Sequence, residues 1–351
     1  MRDVAVVSFA QSPSRRQVLE RNEVEILMPV VREAVERSGI EKKEIGFICS
    51  GSSDYVAGVP FSFVMSLDAV GAWPPVCESH LEMDAAWALY EAWVKIQVGE
   101  QDSALIYGSG KSSMCNISEV LSRQLDPYYM GPLWPDAMSL AALQARLLLE
   151  TGRFSERDLA EVVVRSRRNA KQNPCAQLAG DLDLDELLAE PMIASPLRKH
   201  DCAPISDGAA AVMLAAGDLA RSVCERPAWI AGIDHRIEAH DLGVRDLTQS
   251  VSTALAAEKA GLWRAPVEIA ELCAPFSHQE LILREAMRLG EEVKVNPSGG
   301  ALCANPVMAA GLIRIGEAAE RIRSGSADRA VAHATSGPCL QQNLVCVLEA
   351  R

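Results

Sequence analysis

An internal repeat is the feature that most constrains how this chain can fold. The pattern Gly-x-x-Asp-x-Ala occurs twice, each time with a predicted buried strand. The two copies are Gly99, Asp102 and Ala104, and Gly325, Asp328 and Ala330. Each copy follows the same succession of elements. In the first, an apolar strand lies at residues 4–8, an apolar helix at 24–38 and a second strand at 45–49; in the second, the strand lies at 228–232, the helix ends at 260 and the second strand lies at 267–272. We therefore predict two βαβαβ halves, residues 1–220 and 221–351, in an α/β protein with alternating layers of helices and sheets.

Composition excludes several classes of function. Of the 351 residues, 49% are hydrophobic and only 5% aromatic, which is enough to bury a large aliphatic core. No apolar run is long enough to cross a bilayer and no signal-peptide pattern opens the chain, so we expect a cytoplasmic protein. A net charge of −13 disfavours nucleic-acid binding. The ten cysteines form no Cys-x-x-Cys pair, so we predict neither a metal site nor a disulfide framework.

A helical segment separates the first set of strands from the next buried strand. It covers about residues 116–198 and contains the run Asp126-Pro-Tyr-Tyr-Met-Gly-Pro-Leu-Trp-Pro135. Proline and glycine at this density end helices and force turns. We therefore interpret the segment as an inserted loop domain that covers the active-site side of the molecule.

Residues 76–108 have the form of an enzyme's nucleophile segment, with a turn, a helix and a short buried strand. The position where we expect the nucleophile holds Glu82. Other catalytic patterns are weak: in Gly108-Ser-Gly-Lys-Ser112 the first glycine of a phosphate-binding loop would fall on Leu105, inside a strand, and no Gly-x-Ser-x-Gly elbow occurs. The sequence therefore specifies the fold better than the chemistry.

Several motifs, in one order through nearly the whole chain, resemble thiolases of the sterol-carrier-protein and lipid-transfer-protein branch. These motifs are residues 165–174, 192–198, 201–211, 296–300 (Asn-Pro-Ser-Gly-Gly) and 340–343. Residues 49–55, 78–80 and 82–87 more closely resemble the degenerate thiolase-like subunits encoded with actinobacterial steroid side-chain degradation enzymes. The resemblance implies the thiolase fold in an α-β-α-β-α arrangement, a CoA thioester as substrate or ligand, no covalently bound cofactor, and a dimer.

The reactive residues of that family do not carry over to this sequence. Counted from Gly99 and Gly108, the nucleophilic cysteine falls on Glu82, which cannot form the acyl thioester that the Claisen reaction requires. The two histidine positions of the family fall on Cys273 and Asn305. We therefore expect no thiolase chemistry from this chain alone.

Other side chains near these positions are candidates for a different chemistry. Glu82 is either a carboxylate that caps a helix and blocks the former site, which we favour, or a general base. His80, between Glu78 and Glu82, makes either an acid–base pair or an interface hydrogen bond. His278 acts as an acid or base if its turn directs it into the pocket, and is otherwise a polar residue early in a helix. His333 lies in a predicted buried strand and is interpreted as a core residue.

A binding architecture is expected to survive the loss of the thiolase residues. Helix N-termini near Glu82 and Pro306 should point to a shared centre, where free N–H groups hold a thioester oxygen or another anion. The turn of Ser298, Gly299 and Gly300 lets backbone donors approach a ligand closely. A basic cluster is either a solvated helix face or a site for the phosphates of coenzyme A. The cluster consists of Arg165, Arg167, Arg168 and Lys171.

Two functions are left open. In the first, the chain is a thiolase-like acyl-CoA-binding subunit of a heteromer for lipid or steroid side-chain degradation, paired with a thiolase-fold paralogue and a small acyl-CoA-binding OB-fold or zinc-ribbon protein. In the second, the chain itself is a retro-aldolase acting on a steroid acyl-CoA. The apolar run 59–70 is the predicted subunit interface, with ordinary core as the alternative.

Overall fold

The computed structural model describes residues 2–71 and 75–351. Its strands are β1 (Val4–Gln11), β2 (Phe47–Gly51), β3 (Cys77–Leu81), β4 (Ser103–Lys111), β5 (Met192–Ala194), β6 (Leu197–Arg198), β7 (Asp207–Ala216), β8 (Ala228–Ile237), β9 (Ile269–Leu272), β10 (Lys294–Val295), β11 (Arg329–Ser336) and β12 (Gln342–Glu349). Ten of them form one mixed sheet in the order β10-β9-β11-β12-β8-β1-β7-β4-β2-β3, and β5 and β6 pair separately.

The α-helices connect and cover these strands. They are α1 (Glu23–Ser38), α2 (Asp54–Ala57), α3 (Ser62–Val70), α4 (Ala85–Gln97), α5 (Ile117–Arg123), α6 (Ala137–Glu150), α7 (Glu156–Asn169), α8 (Leu184–Ala189), α9 (Gly217–Val223), α10 (Val251–Lys259), α11 (Ser277–Ala286) and α12 (Ala310–Arg323). Within residues 2–71 and 75–351, none of these helices has both the length and the apolar character needed to span a membrane.

The sheet is built from two five-stranded halves with the same order and directions. In the first half β3, β2 and β4 are parallel, and β7 and β1 follow antiparallel. In the second half β10, β9 and β11 are parallel, and β12 and β8 follow antiparallel. The halves join where β1 pairs with β8, Ala5 opposite Trp229 and Val6 opposite Ala228. The predicted duplication is confirmed.

Helices α4 and α12 lie between the halves and form the central layer. Their buried faces share one core cluster with strands of both halves, to which α4 contributes Leu89 and α12 contributes Ile315. Small residues permit this close packing; a side chain at Gly316 would collide with Phe9 of β1. Helix α1 covers the outer face of the first half, and α10 and α11 cover that of the second. This is the α-β-α-β-α arrangement that the resemblance predicted.

The segment 116–198 contains α5 to α8 and the β5-β6 pair, in agreement with the predicted helical composition. It packs on the second half through a cluster that joins α6, α7 and α11, with Ala145, Val163 and Leu281 among its members. Its other end, near α5, contacts α2 of the first half. The segment therefore borders the edge where the parallel strands of the first half end.

One local prediction was wrong. Residues 77–81 were expected in a turn before the helix, but they form β3, the edge strand of the first half. The polar side chains of these residues show no strand pattern, because an edge strand needs no apolar alternation. Backbone pairing with β2 is what makes the segment a strand. Helix α4 consequently begins at Ala85, with Asp84 as its N-cap, rather than near Glu82.

Candidate functional site

The N-termini of the two central helices meet at the carboxylate of Asp84. This side chain is 7% exposed. It caps its own helix, α4, by accepting a hydrogen bond from the N–H of Ala86 at 2.9 Å. It also accepts hydrogen bonds from the N–H groups of Gly311 at 2.9 Å and Leu312 at 3.1 Å, in the first turn of α12. The predicted shared centre therefore exists, and a carboxylate of the chain itself fills it.

The surroundings of Asp84 leave no room for a side chain at position 311. A side chain on Gly311 would lie 2.6 Å from Oδ1 of Asp84 and 2.5 Å from Cβ of Ala334, so glycine is required there. Burial raises the pKa of Asp84, although the three N–H donors and Arg314 act in the opposite direction. Two helix N-termini nevertheless favour a negative charge at this point. Asp84 was not among the predicted site residues, although an aspartate directly before the Ala85-Ala86-Trp87 helix start is a recognisable N-cap.

Cys273 lies beside this centre, at the end of β9. It is 3% exposed and packs with Ala301 and Ala310. Burial, reinforced by the charge of Asp84 and weakened by Arg314, raises the pKa of its thiol to about 12. Cys273 is therefore a neutral thiol in the core, whereas nucleophilic attack requires a thiolate.

Glu82 is exposed and lies in the turn between β3 and α4. Its Oε1 accepts a hydrogen bond from the N–H of Asp54 at 2.6 Å, at the start of α2. Asp54 in turn accepts hydrogen bonds from the N–H groups of Phe61 and Ser62, at 2.8 and 2.9 Å. Glu82 is thus a capping carboxylate, but of α2 rather than of α4, whose cap is Asp84. Glu82 and Asp54 together stabilise the turn between α2 and α3 by accepting hydrogen bonds from backbone N–H groups.

His80 and Asn305 make contacts that differ from those of Glu82. His80 is exposed on β3, and its ring stacks on Phe63 of α3 with centroids 3.5 Å apart. Among the described residues, no hydrogen bond joins His80 to Glu82. Asn305 is half-buried in the turn before α12, where its N–H donates to Oγ of Ser206 at 3.0 Å. The structure therefore brings Cys273 next to the helix centre and leaves His80 and Glu82 at the surface.

His278 is in the core of the second half, in the first turn of α11. Its Nε2 lies 3.2 Å from Oε1 of Gln144, and burial lowers its pKa to about 3. His333 on β11 is buried as predicted, with Nε2 3.0 Å from Oδ1 of Asn343 and its pKa lowered to about 4 by burial. Both imidazoles are neutral at physiological pH. The proposed acid or base role of His278 stays a prediction, but the neutral form is the one to consider.

These two histidines predict a loss of stability in acid. The unfolded chain binds a proton on each near pH 6.5, whereas the folded chain does so only near pH 3 and pH 4, so stability is lost as pH falls below 6.5. At about pH 5.5 we expect a loss of about 1.4 kcal/mol for each histidine. Urea unfolding at several pH values across this range should show the loss. His278→Gln should remove the contribution of His278 to the change of unfolding free energy with pH. His80→Gln, which removes an exposed imidazole, is the matched control, and the loss of stability in acid that His278 causes should persist in it.

The Asn296–Gly300 turn is buried within a polar network. Ser298 donates through its N–H and Oγ to Glu271, at 2.9 and 2.6 Å, and Arg314 donates to the same Oγ at 2.6 Å. Burial raises the pKa of Glu271, which pairs with Arg314 at 3.1 Å. A Cβ on Gly299, where φ is +98°, would lie 2.7 Å from Ala170. Protein packing alone explains the glycine, and ligand binding by Ser298, Gly299 and Gly300 stays a prediction.

The basic cluster on α7 is divided between two surroundings. Arg165 pairs with the buried Glu280, so its charge is directed inward. Arg168 is two-thirds exposed, with Nε 3.9 Å from Asp181, and Lys171 pairs with the same carboxylate. Arg168 and Lys171 therefore form a surface site that Asp181 partly neutralises, and phosphate binding there stays a prediction. Among the described residues, no three metal-binding side chains come together.

No family model matches the sequence. The chain is 26% identical to acetyl-CoA acetyltransferase of Methanothermobacter thermautotrophicus over 367 residues, covering 96% of this chain and 95% of that protein. It is 29% identical to benzoylsuccinyl-CoA thiolase subunit BbsB of Thauera aromatica, over 56% of this chain and 59% of that protein. It is 28% identical to sterol carrier protein 2 of Gallus gallus, over 53% of this chain and 39% of that protein.

Solved structures agree with these relatives at the level of the fold. The Ltp2-ChsH2(DUF35) aldolase superposes with a TM-score of 0.82 at 18% identity, over 99% of this chain and 98% of that one. The acetyl-CoA acetyltransferase of Bacillus anthracis superposes with a TM-score of 0.79 at 18% identity, over 100% and 99%. In sequence and in fold, the chain is similar to proteins of the thiolase superfamily over nearly its whole length. It is also similar to sterol carrier protein 2 over about half of its length, in line with the motifs noted in the sequence.

Proposed function

We propose that the protein is a thiolase-like subunit that binds an acyl-CoA and acts within a heteromer in the degradation of lipid or steroid side chains, without performing thiolase chemistry itself. Asp84 is the observation that carries the proposal. Its carboxylate accepts N–H groups from both central helices, at the point where a thiolase-type site would need free donors for an oxyanion. An occupied centre cannot stabilise developing charge on a substrate oxygen.

The thiols near this centre support the same conclusion. Cys273 is buried and its pKa is raised to about 12, so it is protonated at neutral pH. Cys77 is exposed on β3, and Glu82 caps α2 at the surface. Acyl transfer needs a thiolate, a base and an oxyanion site held together. Here Cys273 is buried, whereas Cys77 and Glu82 are exposed, so these groups do not share one environment.

A heteromer is supported by an exposed apolar surface on the first half. The α2–α3 patch consists of Tyr55, Val59, Phe61, Val64 and Met65, which are 38–68% exposed. The rest of the predicted interface run is partly core, since Ala69 and Val70 are buried. Aromatic and methionine side chains at this exposure are typical of protein interfaces. One relative is named as a thiolase subunit, and the aldolase structure names two proteins, Ltp2 and ChsH2.

A second candidate function is retro-aldol cleavage of an acyl-CoA by this chain. The likeness to the Ltp2-ChsH2(DUF35) aldolase over 99% of the chain favours it. A retro-aldol reaction needs no acylated cysteine, but it needs a base and stabilisation of an enolate. Glu82 is the carboxylate predicted from the sequence as the general base.

The first prediction is that the isolated protein has no thiolase activity. Incubation with a β-ketoacyl-CoA and free CoA should give no CoA-dependent cleavage, because no reactive thiolate lies at the helix centre. Intact-mass spectrometry should show no acyl adduct on the protein. The Cys77→Ser variant is the control that separates a surface adduct from turnover. Cleavage that persists in this variant would contradict the proposal.

Glu82→Gln distinguishes the two proposed functions. The glutamine Oε1 can still accept the Asp54 N–H, so a capping role predicts turnover of the assembled complex within about twofold of the unchanged protein. A general base would lose about a hundredfold or more in turnover at unchanged acyl-CoA affinity. We expect the small effect. Steady-state turnover and calorimetric affinity of the co-expressed complex measure both quantities, and a hundredfold loss would favour the aldolase.

A further inference from the structure

A small cavity lies at the carboxyl ends of β2 and β4, under α2 and α3. Its lining includes Gly51 and Gly108 at the strand ends, Val56 and Met65 of the two helices, and Met308 of the turn before α12. Its volume is about 30 Å³. That is room for about one or two water molecules, or for a single polar substituent of a larger ligand. The carboxyl ends of parallel strands are a common position for ligand sites in α/β sheets.

Unpaired hydroxyl groups line this cavity. Tyr107 is 1% exposed, Ser53 is 4% and Ser62 is 7%. Within the described residues, the hydroxyls of these three side chains and of Ser52 make no hydrogen bond of good geometry, although Ser50 and Ser66 lie near the Tyr107 hydroxyl and Asp54 lies near that of Ser62. Buried polar groups are nearly always hydrogen-bonded, since an unmade bond costs free energy. Four such groups around one cavity therefore indicate that something polar belongs inside it.

The chemistry of the lining favours a neutral oxygen-containing group. A hydroxyl both donates and accepts, so it can bind an alcohol or a ketone equally well. Burial raises the pKa of Tyr107 by more than the nearby hydroxyls of Ser66 and Ser50 lower it, so the phenol keeps its proton. Lys111 lines the cavity too, but its ammonium donates to the Arg21 carbonyl at 2.6 Å, and Glu23 also lines the cavity, so the lining carries one charge of each sign.

The cavity is next to the candidate site. The carbonyl of Met308 accepts the N–H of Ala85, the first residue of α4, at 2.9 Å. A Cβ on Gly108 would lie 2.6 Å from the same carbonyl, so the strand end, the helix start and the turn before α12 touch one another. The cavity and the N-terminus of α4 therefore share the backbone of Met308.

We propose that this cavity binds a neutral oxygen substituent, a hydroxyl or a ketone, of the acyl group of a CoA thioester, with Tyr107, Ser53 and Ser62 as its hydrogen-bond partners. The proposal rests on the proposed function, because it assumes that the chain binds acyl-CoA. The α2–α3 turn, which is held by hydrogen bonds to Asp54 and Glu82, covers the cavity. The site selects ligands by the oxygen that they carry rather than by the length of the acyl chain.

Calorimetric binding tests the proposal with matched ligands. The probes are butyryl-CoA and its β- and γ-hydroxy derivatives, with the full chain and any co-purified partner. We expect one hydroxylated probe to bind about tenfold more tightly than butyryl-CoA, the contribution of about one hydrogen bond. Tyr107→Phe should abolish this preference by weakening the hydroxylated probe alone. Tyr90→Phe, on α4 away from the cavity, should keep it.

Equal affinity of the unchanged protein for all three probes overturns the inference, and so does an equal loss for all three in Tyr107→Phe. A thermal melt checks that the variant folds; if it does not, Ser53→Ala and Ser62→Ala replace it. If no CoA ester binds, the proposed function fails and a CoA-free experiment decides the inference. In tyrosine Cζ-labelled protein, methyl β-hydroxybutyrate should shift the Tyr107 resonance and methyl butyrate should not. Absence of that difference overturns the inference.

Discussion

Replacing Asp84 by alanine is expected to lower the free energy of unfolding by about 4 kcal/mol, because it leaves the buried N–H groups of two helices without an acceptor. The N–H groups are those of Ala86, Gly311 and Leu312. The loss is larger than that of an ordinary helix cap for two reasons. The carboxylate joins α4 to α12, which are far apart in sequence, and water cannot readily replace it in the core.

Urea or guanidinium unfolding measures this effect, and the chain provides a matched control. Asp183 is the N-cap of α8 and accepts two N–H groups, at 2.9 and 3.0 Å, but it is exposed and serves one helix. Asp183→Ala should cost about 1 kcal/mol, the usual effect of an N-cap. Asp84→Asn should fall between the two, since the amide oxygen still accepts but the charge is lost. An equal cost for both alanine variants would contradict the bridging role of Asp84.

Lysine substitutions in the α2–α3 patch are expected to weaken subunit association by about a hundredfold or more, since interface energy is concentrated in a few apolar anchors. Phe61 is 68% exposed and Val64 is 53% exposed, so Phe61→Lys and Val64→Lys should leave the fold intact. A charge at either position would have to be desolvated when a partner covers the patch. The expected result is loss of the co-purified thiolase-fold partner and a drop in mass to that of the single chain.

Sedimentation velocity of the co-expressed proteins measures this result. Val98 provides the control, because it is 66% exposed at the C-terminal end of α4, at the opposite end of that helix from Asp84. Val98→Lys makes the same change in charge and should leave the complex intact. An unchanged protein that stays monomeric at micromolar concentration with its co-expressed neighbours would contradict the heteromer. Lysine variants that still assemble would instead place the interface elsewhere.

The order of strands and helices could be predicted from patterns in the sequence. The repeat of Gly99 and Asp102 at Gly325 and Asp328 precedes equivalent strands, β4 and β11, which occupy the same place in the two halves. Such patterns are local, and the burial of each strand on both faces makes its apolar run easy to recognise. The buried position of His333 followed from the same pattern. The edge strand β3 did not, because its polar residues pair only through the backbone.

The candidate site depends on contacts between distant parts of the chain. The sequence predicted that two helix N-termini would converge, but not that Asp84 fills the centre, since Gly311 and Leu312 lie more than 200 residues further along the chain. Nor did it predict that Glu82 would cap α2, or that Tyr107 would face Ser53 and Ser62 across a cavity. Helices and strands arise from neighbouring residues, whereas hydrogen-bond partners and cavities depend on how distant segments pack, and this sequence carries no local pattern for that packing.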